Sequence, residues 1–378
     1  MKGAWARLAQ ATEVPRDLLF GGYPGFVTGG ELRRGEIPVF VFHSLDPESF
    51  GGKLGYLRDN GYVTLSAAEY VETLVRARPA PERAVLLTID DGRASVYSVG
   101  LTLLRRFGMK AVVFLVPSRV VETPARPILD SANAAPPPNE GFLSWNEIEI
   151  LARSGLFEFE SHSLSHARVH VAPEVVDFMS PEARAGYASL DVPRIRVAGR
   201  DLEVRDIPLG TPLLRSEPRL GEVRRFFENE ASRRAAVEHV ARAGADFFED
   251  PRWRDELRLT SGAIAGRVET PEEQAEAIRQ ELLGSKRLIE ERTGRPVTQL
   301  CYPWHVSGPT AERIAREVGY QAAFCGKVAG VPITLPGGDP SHIARVGEDW
   351  VETLPGKGRL SALAVLRRKW RRRGLGKA

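Results

Sequence analysis

The chain has 378 residues, of which 43% are hydrophobic and 27% charged, a composition that supports a buried core and excludes a disordered chain. Its two cysteines exclude a small fold held together by disulfides. The net charge is +3, but eight of the 52 Lys and Arg residues and none of the 49 Asp and Glu residues lie in residues 359–378. A mildly acidic body therefore carries a strongly basic tail, which argues against a nucleic-acid-binding protein.

Hydropathy along the chain predicts no membrane-spanning helix, because no segment approaches the run of about 18 apolar residues that a span needs. Residues 1–20 alternate charged residues, proline and apolar residues, and they lack the apolar core of a secretory signal. We therefore expect a cytoplasmic protein.

Short apolar, β-branched runs alternate with amphipathic helical patterns, which predicts repeated βα units and a parallel sheet. The predicted strands are Ile37–Phe42, Ala84–Ile89, Lys110–Val116, Leu156–Glu160, Val297–Cys301 and Gln321–Cys325. The predicted helices are Pro47–Asn60, Ala67–Val75, Arg93–Phe107, Trp145–Ser154, Pro271–Thr293 and Pro309–Val318.

This alternation stops at 167–268, where prolines interrupt Val192–Leu214 and a helix is predicted over Gly221–Gly244. We interpret the segment as an insertion or subdomain of about a hundred residues, with a small core of its own. The aromatic residues expected in that core are Tyr187, Phe226, Phe227, Phe247, Phe248 and Trp253. The predicted domains are then an N-terminal extension (1–35), a barrel in two parts (36–166 and 269–350), the insertion between them and a tail (351–378).

The tail predicts a helix over Leu360–Arg373 that places Leu363, Leu366 and Trp370 on one stripe. Such a helix can lie on an anionic membrane, with Arg367, Arg368 and Lys369 near the headgroups. The alternative interpretation is a disordered, solubilising tail.

Polar residues with catalytic chemistry follow four separate predicted strands. They are His43, the run Asp90-Asp91-Gly92, the pair His162 and His166, and the loop Tyr302–His305. Each has a structural explanation when it stands alone, since Asp-Gly is common turn chemistry and an isolated histidine is more often structural than catalytic. In a parallel βα barrel, however, the carboxyl ends of the strands form the one rim where sites are built. Four groups on that rim predict a functional site.

Histidines four residues apart share one face of a helical turn, a common arrangement for metal ligands. Two histidines and one carboxylate leave coordination positions open on Zn²⁺ or a similar ion, which suits catalysis rather than a closed structural site. Asp90 and Asp91 are adjacent and point in different directions, so that one can bind a metal while the other acts as a base.

These motifs resemble those of the polysaccharide deacetylase family (NodB homology, carbohydrate esterase family four). Asp90-Asp91-Gly92 is similar to the family's T-F-D-D-G motif, with Ile89 at the usual phenylalanine position. His162–His166 resembles its metal-binding histidine motif, and Leu300–Trp304 resembles its Y-P-[YW] loop. The strand before His43 and the pattern Phe50, Leu54, Leu57, Gly61, Tyr62 are similar to the circularly permuted branch that acts on poly-N-acetylglucosamine.

The resemblance implies a distorted (β/α)7 barrel and a metal-dependent hydrolase that removes an N-acetyl or N-formyl group from an amino sugar. It implies that Asp91, His162 and His166 hold the metal, with Asp90 as general base and His43 as general acid. The metal, Zn²⁺ in the first place and Ni²⁺, Co²⁺ or Mn²⁺ otherwise, would polarise the amide and activate a water. A backbone N–H near Tyr302 would help to stabilise the oxyanion.

Three departures from the family pattern concern the acid and the base. The usual arginine beside Tyr302 is absent, and we expect Arg345 to pair with Asp90 from elsewhere in the chain. His305 stands where glycine is common and competes with His43 as the acid, while His342 is a third candidate that resembles a loop residue.

Two tryptophans are candidates for sugar stacking, Trp304 on the site loop and Trp145 at the start of a helix, with core packing as the alternative. The basic tail and the expected cytoplasmic location favour a lipid-linked or nucleotide-linked amino sugar as substrate. Two other functions stay open from the sequence. They are a metal-dependent amidohydrolase acting on a non-sugar amide, and an inactive carbohydrate-binding homologue.

Overall fold

The computed structural model describes residues 22–76, 79–128, 141–186, 190, 193–197, 200–202, 204–326 and 331–374. They form two compact units. Unit 1 comprises the chain up to residue 164 together with 284–305 and the residues from 319 onward, and unit 2 comprises 165–283 and 306–318. Of the candidate site residues, His166 lies just inside unit 2, in the turn where the boundary falls, and the others belong to unit 1.

The strands of the described residues are β1 (Val39–Phe42), β2 (Val63–Thr64), β3 (Ala84–Ile89), β4 (Ala111–Leu115), β5 (Phe157–Ser161), β6 (Arg168–Phe178), β7 (Arg196–Val197), β8 (Arg200–Asp201), β9 (Pro212–Pro218), β10 (Phe226–Glu228), β11 (Gly266–Val268), β12 (Gln299–Cys301), β13 (Ala322–Phe324) and β14 (Val346–Gly347). The α-helices are α1 (Pro47–Asp59), α2 (Ala67–Arg76), α3 (Leu101–Phe107), α4 (Trp145–Arg153), α5 (Pro181–Gly186), α6 (Glu230–Ala243), α7 (Trp253–Ser261), α8 (Pro271–Thr293), α9 (Pro309–Glu317) and α10 (Ala362–Gly374).

Unit 1 is built on a parallel sheet whose strands pair in the order β13-β12-β5-β4-β3-β1-β14, with β2 added alongside β3. Every residue of β1, β3 and β4 is buried, as expected for parallel strands covered by helices. The predicted distorted (β/α)7 barrel is therefore confirmed. Because the strands are parallel, their carboxyl ends meet at one edge, and this edge carries the candidate site.

The predicted barrel strands and helices are present, with ends that differ by a few residues. The helix predicted from Arg93 begins later, with a π-helical turn over Val96–Gly100 that leads into α3. It starts late because Asp91 and Gly92 adopt left-handed backbone angles and the chain is still turning there. The two-residue strands β2 and β14 were not predicted, since two residues are too few to show a period.

Unit 2 contains three antiparallel pairs, β6 with β9, β10 with β11, and β7 with β8. The long strand β6 was missed because Pro173 and a shift in register between His170 and Val175 interrupt its pattern. The helix predicted over Gly221–Gly244 was too long, because its first part forms β10 and Asn229 then caps α6 by accepting from the N–H of Ala231.

The core of unit 2 includes several of the aromatic residues expected there. Phe247 and Trp253 are buried in one cluster with Phe178, and Phe226 is buried in a second cluster. Tyr187 lies outside the described residues.

The predicted tail helix is present as α10, and Val365 is its buried apolar residue. Among the described residues, no helix combines the length and the apolar character that a membrane span requires.

Candidate functional site

The chain turns sharply at the end of β3, directly after Asp90. Asp91 has a φ of 72° and Gly92 a φ of 70°, in the left-handed region where glycine is favoured. A Cβ on Gly92 would lie 2.7 Å from Leu115 Cδ2 of β4, so this position also lacks space for a side chain. The turn brings one oxygen of each adjacent carboxylate to within 4 Å of His162 Nε2, and the roles of base and metal ligand stay a prediction.

Asp90 makes a bidentate ion pair with Arg345, and both side chains are buried. The Nη1–Oδ1 distance is 2.7 Å and the Nη2–Oδ2 distance is 2.8 Å. Arg345 is itself held in place, because its Nη1 donates to Thr88 Oγ1 and its Nε donates to the Cys325 carbonyl. Burial acts to raise the pKa of Asp90, but the guanidinium outweighs it and holds that pKa well below its ordinary value. Asp90 is therefore a fixed, ionised carboxylate.

His162 follows β5, and its ring is oriented by a single backbone contact. Nδ1 lies 2.8 Å from the carbonyl oxygen of Cys301, which can only accept, so Nδ1 carries the proton. The Nε2 lone pair of the neutral ring then faces two carboxylates, with Asp91 Oδ1 at 3.7 Å and Asp90 Oδ2 at 3.9 Å. Burial lowers the pKa of His162, which favours the neutral ring. Since Arg345 already pairs with Asp90, the Nε2 lone pair and Asp91 Oδ1 are the two donors here that are positioned to share a cation.

His166 adds a third donor atom to those of Asp91 and His162. One ligand atom each from Asp91, His162 and His166 can be chosen so that all three atoms lie within 4.8 Å of one another, and all three residues are buried. Two imidazoles and one carboxylate are a donor set that Zn²⁺ and similar divalent ions accept, with coordination positions left open. The residues present therefore fit a divalent cation.

The turn between the two histidines is anchored at both ends. The N–H of His162 donates to the Leu115 carbonyl, and the carbonyl of Leu164 accepts from the N–H of Ser118. Ser165 donates both its N–H and its hydroxyl to the carboxylate of Glu281 on α8. These bonds explain how a short turn can hold two rings in fixed positions.

Strained backbone is concentrated at this site. Seven non-glycine residues among those described have a positive φ, and five of them belong here. They are Asp91, Ser163, His166, Trp304 and His305. Such conformations cost about 1–3 kcal/mol each and persist where surrounding structure enforces them for a function.

A second group, Asp90, His162 and Cys301, also brings three donor atoms within the same distance. It suits a metal less well for two reasons. The charge of Asp90 is already matched by Arg345, and burial raises the pKa of the Cys301 thiol, which keeps it protonated. The set with Asp91 is therefore the better metal site.

The three candidate acids differ in their surroundings. His305 Nδ1 lies 3.3 Å from Arg345 Nη2, and desolvation together with the guanidinium lowers the pKa of His305 to about 4. His43 and His305 are both exposed, and His43 acts electrostatically on the carboxyls of Asp90 and Glu348. His342 pairs with Asp339 in its own loop, at 3.0 Å. This contact gives His342 a partner within its own loop, where the sequence placed it.

Tyr302 does not supply an oxyanion donor from its own backbone. Its N–H donates to the Phe324 carbonyl in the sheet, at 3.0 Å, and its side chain is buried. The sequence suggested a donor near Tyr302, and the Tyr302 N–H itself is excluded because the ladder between β12 and β13 uses it.

The two candidate stacking residues are half-buried. Trp304 lies in the 3₁₀ turn Pro303–His305 with a φ of 59°. Trp145 begins α4, and Leu143 before it donates its N–H to the carbonyl of Gly92, which places this stretch beside the turn of the two aspartates. Arg292 stacks over the Trp145 ring, 5.2 Å from its centroid, so one face of that ring is already covered.

Sequence reasoning missed three contributors to this site. Thr88 accepts from Arg345, Cys301 offers both its carbonyl to His162 and its thiol to Arg345, and Arg93 Nε lies 3.3 Å from Asp91 Oδ2. One signal was available, because Thr88 and Asp90 are two residues apart on a strand and so share a face.

Residues 77–185 match the family model described as polysaccharide deacetylase. Over 122 residues the chain is 34% identical to the poly-beta-1,6-N-acetyl-D-glucosamine N-deacetylase of Escherichia coli strain K12, an overlap that covers 32% of this chain. The matched region spans only 18% of the length of that protein.

Two solved structures share the fold. The deacetylase domain of BpsB from Bordetella bronchiseptica is 20% identical with a TM-score of 0.52, covering 83% of this chain and 96% of that one. The de-N-acetylase of Aggregatibacter actinomycetemcomitans is 19% identical with a TM-score of 0.51, covering 82% of this chain and 94% of that one.

Proposed function

We propose, from the match of residues 77–185 to the polysaccharide deacetylase family model, that the chain is a divalent-metal-dependent hydrolase that removes an N-acetyl group from an amino sugar. The observation that carries the proposal is the orientation of His162. Its protonated Nδ1 is fixed on a carbonyl, so its bare Nε2 faces Asp91, the arrangement of a metal-ligating histidine with an outer partner.

In this proposal Asp91, His162 and His166 hold the cation, and Zn²⁺ is the ion that their two nitrogens and one carboxylate suit best. When bound, the ion supplies a Lewis acid that polarises the amide carbonyl and lowers the pKa of a water from about 15.7 toward about 7. The chain's own residues then account for the transfer of protons.

Asp90 is the general base, and it receives the water's proton on a carboxylate oxygen. Arg345 keeps Asp90 ionised over the whole physiological pH range and fixes the plane of the carboxylate. The same pairing lowers the basicity of Asp90, so its contribution depends on position more than on proton affinity.

His43 is the general acid that protonates the departing amine. An acid for this step must carry a proton near neutral pH, and His305, with a pKa of about 4, is neutral there. His43 interacts electrostatically with the carboxyls of Asp90 and Glu348, which places it near the proposed base. His305 is better placed as a second neighbour of Arg345, which it contacts through Nδ1.

The substrate is an N-acylated amino sugar, and Trp304 and Trp145 beside the site offer ring surfaces for it. A β-1,6-linked N-acetylglucosamine oligomer is the first substrate to test, because it is the one named for the E. coli relative. A lipid-linked or nucleotide-linked amino sugar is the second, since the basic tail favours a substrate presented at an anionic surface or carrying phosphate.

The test is acetate release by the full chain from both kinds of substrate, with the enzyme loaded with Zn²⁺ and with chelator added. Formate release is measured alongside, to identify the acyl group. Acetate release that stops with chelator, and that Asp90→Asn abolishes, is expected. Release of acetate only from non-sugar amides would reject the sugar assignment, and turnover that survives chelation would reject the metal.

A further inference from the structure

Helix α10 has two faces with different surroundings. On the inner face Val365 is 3% exposed and three basic residues pair with acids of unit 1. Lys369 Nζ lies 2.8 Å from Asp349 Oδ2 and Arg372 Nη1 lies 3.5 Å from Asp349 Oδ1. Arg368 Nη1 pairs with Glu352. Two carboxylates therefore balance two of the three positive charges on the inner face, which is fixed to the body of its own unit.

The outer face is both apolar and basic. Leu363 is 56% exposed and Trp370 is 67% exposed, and Arg367 and Arg371 are exposed beside them. Arg367, Trp370 and Arg371 follow Leu363 by four, seven and eight residues. The four side chains therefore form one stripe along the helix. The helix contains no acidic residue.

The structure changes which basic residues are available to a partner. The sequence predicted that Arg367, Arg368 and Lys369 lie near the lipid headgroups. In the structure, however, Arg368 and Lys369 pair with carboxylates of unit 1. The outward set is Arg367 and Arg371 instead. A large aromatic ring between two guanidinium groups is typical of a helix that lies in the interface of a membrane.

We propose that the outer face of α10, formed by Leu363, Arg367, Trp370 and Arg371, docks the protein on an anionic lipid bilayer. Trp370 and Leu363 enter the headgroup region, and the two arginines bind the lipid phosphates. A second copy of the chain is a poorer occupant, because a twofold contact between two such faces brings four guanidinium groups together without an acid. This surface is independent of the chemistry at the metal site.

The proposal is tested by sedimenting the full chain with vesicles of phosphatidylcholine alone and with phosphatidylglycerol added, at low salt. Binding to the anionic vesicles only, lost at high salt, is expected. The double variant Arg367→Gln/Arg371→Gln should weaken binding about twenty-five-fold, at about fivefold for each arginine. Trp370→Ser should weaken it by a further tenfold or so, since the ring is the main apolar anchor.

The matched control is Arg368→Gln/Arg372→Gln, which removes the same charge from the inner face. It should weaken vesicle binding clearly less than the outer double variant does, because those charges are already paired. Circular dichroism and gel filtration establish that each variant is folded. Equal losses for both double variants, equal binding to neutral vesicles, or a concentration-dependent dimer that Trp370→Ser abolishes would overturn the proposal.

Discussion

Arg345 and Asp90 lie 255 residues apart in the chain, yet two guanidinium nitrogens of one face two carboxylate oxygens of the other at 2.7 and 2.8 Å. Both side chains are buried, so each charge depends on the other for its solvation. The pair joins the edge strand β14 to the rim of β3, and it fixes the residue that we propose as the base.

Breaking this pair should destabilise the fold. Arg345→Met leaves a buried carboxylate without its partner, and we expect a loss of about 3–5 kcal/mol in the free energy of unfolding. Asp90→Asn/Arg345→Met should recover part of that loss while staying inactive. Urea unfolding of metal-free protein measures both effects. A cost below about 1 kcal/mol for the single variant would show that the pair is not stabilising in this way.

The same pair predicts how stability depends on pH. The pKa of Asp90 is lower in the folded chain than the value of about 3.9 in the unfolded one, so its contribution is present above pH ~4 and is lost as the pH falls further. Below pH ~4, the unfolding free energy of the wild type should therefore decline more steeply with falling pH than that of Asp90→Asn. Parallel curves for the two proteins would contradict the lowered pKa.

Gly92→Ala should cost stability and activity together. The new methyl group would meet Leu115 at 2.7 Å, and the turn that aims Asp91 requires a positive φ. We expect about 2–4 kcal/mol of destabilisation. Gly61→Ala is the matched control, since Gly61 has a φ of 71° and no atom lies within 4 Å of the added Cβ. This variant should lose only the stability that the strained backbone costs, about 1 kcal/mol. Equal effects at the two positions would remove the steric argument.

His43→Gln should lower kcat at least a hundredfold, whereas His305→Gln should lower it less than tenfold. An acid must be protonated to act, so activity falls as the pH rises through its pKa. A group with a pKa of about 4, such as His305, is already deprotonated at neutral pH. The pH–rate profile above pH 6 should therefore keep its shape in His305→Gln. The reverse result would assign the acid role to His305.

The sequence was enough to predict the barrel and the rim on which the polar groups meet. Continuous apolar runs such as Ala84–Ile89 indicate buried parallel strands, and Gly108 has a left-handed φ that ends α3. The position of Asp91 beside the histidines followed from parallel strands whose ends coincide.

The rest depended on contacts that have no local pattern. Nothing near Thr88 or Cys301 in the sequence indicates that both touch Arg345, because these contacts join strands that are far apart in the chain. Strand β6 was missed since a proline and an irregular register disrupt its alternation. The inward direction of Arg368 and Lys369 depends on Glu352 and Asp349, which no helical period of the tail reveals.

The central claim is that Asp91, and not its neighbour Asp90, holds a divalent cation with His162 and His166. Metal content after loading with Zn²⁺ and gel filtration, measured by mass spectrometry on folded protein, tests it most directly. We expect one ion per chain in the wild type and in Asp90→Asn, and none in Asp91→Ala. Retention of the ion by Asp91→Ala, with its loss from Asp90→Asn, would contradict it.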